Sequence, residues 1–138
     1  MPSVLNPYIS FRDNARQAME FYKDVFGGDL RVSTFGEYGD SNAPGADNIM
    51  HAQLETQNGF TLMASDTPPG MESNQGGGNV SISLSGDDEQ ELRGYWDKLS
   101  DGGTVTMPFE KQMWGDLFGQ CTDKYGVSWM VDVVQPQS

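Results

Sequence analysis

A short stretch occurs twice in this chain. Residues 5–11 read Leu5-Asn6-Pro7-Tyr8-Ile9-Ser10-Phe11, and residues 78–84 read Gly78-Asn79-Val80-Ser81-Ile82-Ser83-Leu84. Asn6 falls on Asn79, Ile9 on Ile82, Ser10 on Ser83 and Phe11 on Leu84, at a constant offset of 73. A helix signal follows each copy, so the chain reads as one unit made twice. This restricts the fold more than any composition figure, because a duplicated unit must bury an apolar face twice with the same order of elements.

In residues 5–11, Pro7, Ile9 and Phe11 share one face and Asn6, Tyr8 and Ser10 the other, the alternation of a half-buried strand. Pro7 places it at an edge or a strand end. Asn14 stands where an N-cap belongs, with Gln17 as its reciprocal partner. Ala15, Ala18, Met19, Tyr22, Val25 and Phe26 follow at helical spacing until Gly27-Gly28 stops the helix. Residues 30–38, 48–55 and 60–65 read as strands, with a polar loop at 39–47 and a hairpin turn at Asn58-Gly59. The first half is therefore β-α-β-β-β.

Residues 67–78 form a linker, with Pro68-Pro69-Gly70 and then Gly76-Gly77-Gly78. The glycine run leads into a strand rather than a helix, which argues against a phosphate cradle. The second half repeats the order: a strand at 79–85, an N-cap at Asp87 with Gln90, a helix carrying Leu92, Tyr95, Trp96 and Leu99, a stop at Gly102-Gly103, then strands at 104–111, from 115 or 116 to 122, and at 127–134. At the offset of 73, Leu92 matches Met19, Tyr95 matches Tyr22 and Leu99 matches Phe26. The late strands match at 67, with Gln53 on Gln120 and Met63 on Met130. The expected organisation is one domain over 1–138, built from modules 4–66 and 79–134 around linker 67–78, with a polar tail at 135–138.

Charge narrows the function classes. There are 20 Asp and Glu against 8 Lys and Arg, a formal charge of −12. Nucleic-acid binding by phosphate neutralisation needs a basic footprint, and anionic membranes would repel such a chain. Cys121 is the one cysteine, so no intrachain disulfide can form, and its strand parity marks a small buried hydrophobe. No apolar run approaches the roughly 18 residues of a membrane span. The first residues lack the basic-then-apolar order of a secretory signal, so the expected location is the cytoplasm.

Two tandem β-α-β-β-β units resemble the vicinal oxygen chelate superfamily, which holds glyoxalase I, bleomycin-resistance proteins and extradiol dioxygenases. Several local motifs look like its PhnB-like branch: Pro7 to Phe11, Ala18 to Tyr22 with Val25 to Gly28, Ile49 to Ala52, Leu62 to Asp66, and Trp114-Gly115-Asp116 with Asp123 to Trp129. The resemblance covers nearly the whole chain. It implies an α+β fold of curled mixed sheets around a cleft, with helices outside. It also implies a small-molecule ligand and a homodimer. Some relatives carry a demethylubiquinone methyltransferase label, but no strand, glycine-rich loop and helix for a nucleotide-like methyl donor is visible here.

Under that fold, strand parity assigns Asn6, Tyr8, His51, Gln53 and Met63 of the first module to the cleft. It assigns Asn79, Ser81, Phe118, Gln120 and Met130 of the second. Trp114 and Asp116 lie on the hairpin beside it, where the ring could stack on a planar ligand. Metal-dependent members of the superfamily place His or Glu at four positions, occupied here by Asn6, Met63, Asn79 and Met130. Amides and thioethers are poor ligands for the divalent ions concerned, and one histidine cannot build a site of two imidazoles and a carboxylate. The expectation is therefore no cofactor and no catalytic metal, with a displaced divalent-ion site through His51, Glu55 or Asp132 as the alternative. His51 is the candidate general base. Three functions follow: a metal-independent small-molecule binder, a lyase, isomerase or dioxygenase-type enzyme using a displaced metal or His51, and an interaction dimer with an occluded cleft.

Overall fold

The computed structural model describes residues 3, 5–39, 42, 45–67 and 80–135. The glycine-rich part of the linker (68–78), Asn79 and the tail residues 136–138 lie outside them. The chain divides into two units, Met1–Gln75 and Gly76–Ser138.

In the first unit, β1 (Tyr8–Phe11) leads into α1 (Ala15–Phe26), then β2 (Asp29–Thr34), a single turn α2 (Phe35–Tyr38), β3 (Ile49–Glu55) and β4 (Thr61–Asp66). The sheet order is β1-β4-β3-β2. β1 runs parallel to β4, and the other neighbours are antiparallel. The edge position of β1 is the one Pro7 anticipated. One face packs under α1: Phe11, Ala52, Leu54, Leu62 and Ala64 are buried with Ala15, Ala18, Met19, Tyr22 and Val25.

The second unit is β5 (Ile82–Gly86), α3 (Glu89–Ser100), β6 (Thr104–Lys111), β7 (Leu117–Thr122) and β8 (Ser128–Val133), in sheet order β5-β8-β7-β6. Its core is Leu84, Cys121, Trp129, Val131 and Val133 under Leu92, Trp96 and Leu99. Trp96 stacks on Phe109 at 5.4 Å, directly over Gly119, where an added Cβ would meet the indole at 2.9 Å. Pro108 is tolerated because β6 is an edge strand with an irregular register. The architecture is thus the expected α+β pair of four-stranded mixed sheets, each covered by a helix and neither closed.

The repeat itself is offset differently from the sequence match. Thr67 N–H donates to Phe11 O at 2.7 Å, and Val134 N–H donates to Gly86 O at 2.7 Å. The donors stand 67 apart, as expected, but the acceptors stand 75 apart. The pairing of Tyr8 with Met63 and of Ser83 with Met130 gives the same 75. In the helices the offset is 74: buried Ala18, Tyr22 and Val25 correspond to buried Leu92, Trp96 and Leu99. Tyr95 is therefore not the twin of Tyr22. It is half-buried, and its hydroxyl donates to Glu91 at 3.0 Å. The counterpart of Asn6 is Ser81 rather than Asn79.

Helix starts needed correction too. Asn14 occupies the N-cap position of α1 without a side-chain cap, and its Oδ1 accepts no hydrogen bond. The cap comes from Asp66 at the end of β4, 2% exposed, which accepts from Ala15 N–H at 2.8 Å and Ile49 N–H at 2.7 Å. A carboxylate at a helix N-terminus also meets the positive end of the helix dipole. For α3 the cap is Asp88, not Asp87, and it accepts from Glu91 N–H at 3.1 Å. The strand expected at 30–38 ends at Thr34, where Phe35 N–H turns to Asn48 O and Gly36 N–H to Ala46 O. Opposite Thr34, β3 carries one extra residue at Met50. That bulge reverses the alternation, so Ile49 is buried with Ala52.

Burial, and then the negative charge of Asp123, push the Cys121 thiol from 9.0 to about 11. The unfolded chain ionises first, so unfolding releases a proton between these values. Stability should be unaffected below pH 9.0 and fall as the pH rises towards about 11. Denaturant midpoints measured across that window should lose this slope in Cys121→Ala.

Candidate functional site

Each sheet turns one face away from its helix, and strand register sets what stands there. In the first unit Arg31 pairs with Gln53, Gln53 with Met63, and Met63 with Tyr8. These four residues form one row across all four strands. In the second unit the corresponding row is Met107, Gln120, Met130 and Ser83. Glutamine and methionine hold the centre in both, while the ends differ: Arg31 against Met107, and Tyr8 against Ser83.

The first face carries a chain of polar contacts along β3. Tyr8 Oη lies 3.5 Å from His51 Nδ1, with the two rings tilted at 5.8 Å. His51 Nε2 lies 3.4 Å from Gln53 Oε1, and Gln53 Nε2 donates to Glu55 Oε1 at 2.6 Å. Because Gln53 donates towards Glu55, its carbonyl faces His51. The ring then carries its proton on Nε2, and Nδ1 accepts from Tyr8. Asn6 Nδ2 contacts Met63 Sδ at 3.9 Å. His51, Gln53 and Met63 are half-buried and Tyr8 is 51% exposed.

On the second face, Ser81 and Ser128 share a hydroxyl contact at 2.7 Å. Gln120, Met130 and Phe118 are half-buried beside them. Trp114, 58% exposed, meets Phe118 edge-to-face at 5.7 Å. Asp116 Oδ1 accepts from Gln135 N–H at 3.2 Å, fastening the segment after β8 to the hairpin. Burial first, then the hydrogen bond to Asp116 and its charge, raise the Asp132 carboxyl above its ordinary range. Asp132 stands beside Phe118 in the register.

The sequence-derived set thus falls into two groups. Asn6, Tyr8, His51, Gln53 and Met63 stand together on the first face. Ser81, Phe118, Gln120 and Met130 stand on the second, with Trp114 and Asp116 on the adjoining hairpin. Asn79 is outside the described residues. Arg31 is not among the expected residues, because the alternation within 30–38 does not by itself say which face meets the helix. Pairing that strand with β3 through the alternation of Val32 and Ala52 would have found it.

The groups implied by the fold family can be tested on these side chains. Among the described residues no three His, Cys, Asp or Glu side chains come together as a metal-ligand set. Asn6, Met63, Met130 and Ser81 do not fit a divalent ion of the imidazole- and carboxylate-seeking kind. A nucleotide-like methyl donor fits no better. Residues 12–14 and 87–88, which join strand to helix at α1 and α3, are not glycine-rich loops, and the N-termini of these two helices already meet a carboxylate. No helix among the described residues is long and apolar enough to cross a membrane.

Residues 3–132 match the family described as 3-demethylubiquinone-9 3-methyltransferase. The fold is similar to that of protein PA1353 from Pseudomonas aeruginosa, at 37% identity and a TM-score of 0.83, covering 95% of this chain and 97% of that one. The PhnB protein from Bacillus cereus is 26% identical with a TM-score of 0.75, covering 94% and 98%. A glyoxylase/bleomycin resistance protein/dioxygenase domain from Frankia sp. EAN1pec shares the fold at a TM-score of 0.66 and 14% identity, covering 98% and 99%.

Proposed function

The chain belongs to the family described as 3-demethylubiquinone-9 3-methyltransferase, the PhnB-like branch of the glyoxalase/bleomycin-resistance/dioxygenase superfamily, and from that premise we propose that it binds a small organic molecule on a sheet face without a catalytic metal. The family description does not supply the activity, because the methyl-donor site has no counterpart in these residues. The observation that carries the reading is the paired row. Both sheets present an amide and a thioether at the centre of the face turned from the helix, with Tyr8 and His51 beside them in the first and Ser81, Ser128 and Phe118 in the second. Such a surface suits a neutral or weakly polar organic molecule: the amide fixes orientation and the polarisable sulfur adapts to shape. In the same reading the protein acts in the cytoplasm as a homodimer, and its charge of −12 keeps it from nucleic acid.

A second reading has one observation behind it. The Tyr8–His51–Gln53–Glu55 chain orients an imidazole in the manner of a general base, so an enzyme acting through His51 is the alternative.

Purified protein should carry well under one divalent ion per chain by elemental analysis, and chelation should leave its melting temperature unchanged. A ligand from a metabolite panel, at about 100 times its Kd, should stabilise the chelated protein by about 2.7 kcal/mol, a shift of several degrees. One tightly held ion per chain, with ligand response and stability both lost on its removal, would contradict the proposal.

A further inference from the structure

We propose that the first sheet face takes a small carboxylate that also carries a hydroxyl group, with Arg31 meeting the carboxylate and Tyr8 the hydroxyl. This rests on the reading of that face as a ligand site and adds the chemistry of the ligand.

The first argument is charge. Arg31 is one of only 8 basic residues against 20 acidic ones, and it stands at one end of the transverse row. The repeat does not require it, because the corresponding end of the second row is Met107. Glu55, on the same face, already accepts from Gln53 at 2.6 Å. Asp29 and Glu55 pair beside it on the same face, and among these side chains the guanidinium is the one that matches a carboxylate in geometry as well as sign, since its planar fork meets both oxygens.

The second argument is the direction of the hydrogen bonds. Tyr8 donates to His51, His51 to Gln53, and Gln53 to Glu55. The hydrogen bonds of this chain all run towards Glu55. The Tyr8 oxygen keeps its acceptor capacity at the open end, so it calls for a donor from the ligand, and a hydroxyl supplies one. Between the two ends lies Met63, a soft floor for a ring or a short hydrocarbon. The row spans three strand spacings, roughly 14 Å. With the reach of Arg31 and Tyr8 subtracted, the gap suits one aromatic ring with a short acidic arm.

The test uses three probes of matched size against the full chain: 4-hydroxyphenylacetate, its neutral alcohol analogue 2-(4-hydroxyphenyl)ethanol, and phenylacetate. Affinities come from calorimetry, and location from shifts of the His51 ring and Met63 methyl signals. The hydroxy acid should bind about tenfold tighter than either analogue. Arg31→Met should erase its advantage over the alcohol, and Tyr8→Phe its advantage over phenylacetate, at unchanged melting temperatures. Equal binding of all three probes at Met63, indifferent to Arg31→Met, would overturn the ligand class and leave the site reading standing. No shift at Met63 or His51 with any of them would also overturn it, and Met130, observed in the same spectra, would report binding on the other face.

Discussion

Replacing Asp123 with alanine should destabilise the protein by about 3–5 kcal/mol, among the largest effects of any polar substitution in the chain. The side chain is 3% exposed. Its Oδ1 accepts from the N–H groups of Tyr125 at 2.8 Å and Val127 at 3.1 Å, and its Oδ2 accepts from Trp129 Nε1 at 2.8 Å. Alanine would orphan three donors around the turn between β7 and β8, one of them on the largest fully buried side chain of the core. A hydrogen bond to a charged acceptor contributes about 1.5–3 kcal/mol, and burial leaves the Trp129 indole N–H no water to turn to, while the two backbone amides are part-buried. Thr56 holds the corresponding turn in the first unit, where its hydroxyl accepts from Phe60 N–H at 3.0 Å. Thr56→Ala should therefore cost only about 1 kcal/mol. Urea unfolding of the two variants measures the difference, and equal costs would show that the Asp123 network has been overvalued.

Gly28→Ala should cost about 3–5 kcal/mol or prevent folding of the first unit. Gly28 sits at φ +99, and an added Cβ would lie 2.3 Å from Glu55 O and 2.8 Å from Thr56 Cα. Neither backbone atom can swing aside as a side-chain tip could. Gly27→Ala separates the two contributions, because Gly27 at φ +74 has nothing within 4 Å of its absent Cβ. That variant should lose about 1–3 kcal/mol from conformation alone, because ψ −167 puts Gly27 in an extended positive-φ region essentially reserved for glycine. The joint recurs at Gly103, whose added Cβ would lie 2.2 Å from Thr122 O. Thermal melts of Gly27→Ala and Gly28→Ala should differ by several degrees, and coincident melts would remove the steric argument.

These two joints explain why so much of the fold was legible. Glycine pairs after each helix, the strand alternation and the Asn58-Gly59 turn are local signals, each with one physical meaning. They placed the helices and strands in order and assigned Tyr8, His51, Gln53, Gln120 and Met130 to the faces turned from the helices. The offset of the repeat was misread because coincident residues, such as Tyr22 and Tyr95, outweighed the burial pattern in the match. Packing decides otherwise: the ring that enters the second core is Trp96, and the whole helix follows it by one position. The cap of α1 was illegible for another reason. Asp66 reaches it from the end of β4, 51 residues away, and no local rule of helix starts can see a donor–acceptor pair at that separation. The bulge at Met50 hid the buried side of Ile49 in the same way, since it is visible only against the partner strand. Arg31 fell between these cases. Its strand was recognised, but its face depends on the pairing with β3.

The family tie carries the fold with it and leaves the chemistry to the side chains. At the places where metal-dependent relatives concentrate imidazole and carboxylate, this chain has Asn6, Met63, Met130 and, by strand register, Ser81. Both methionines stand at the centre of a row, next to a glutamine. They are therefore direct reporters of the proposed binding surface. The decisive measurement is a carbon-13 methyl spectrum of methionine-labelled, metal-stripped protein, recorded during titration with a metabolite panel. The account predicts that at least one compound shifts the Met63 or Met130 methyl in a saturable way with chelator present. Methyls that stay still until a divalent ion is added, and only then respond to ligand, would contradict it.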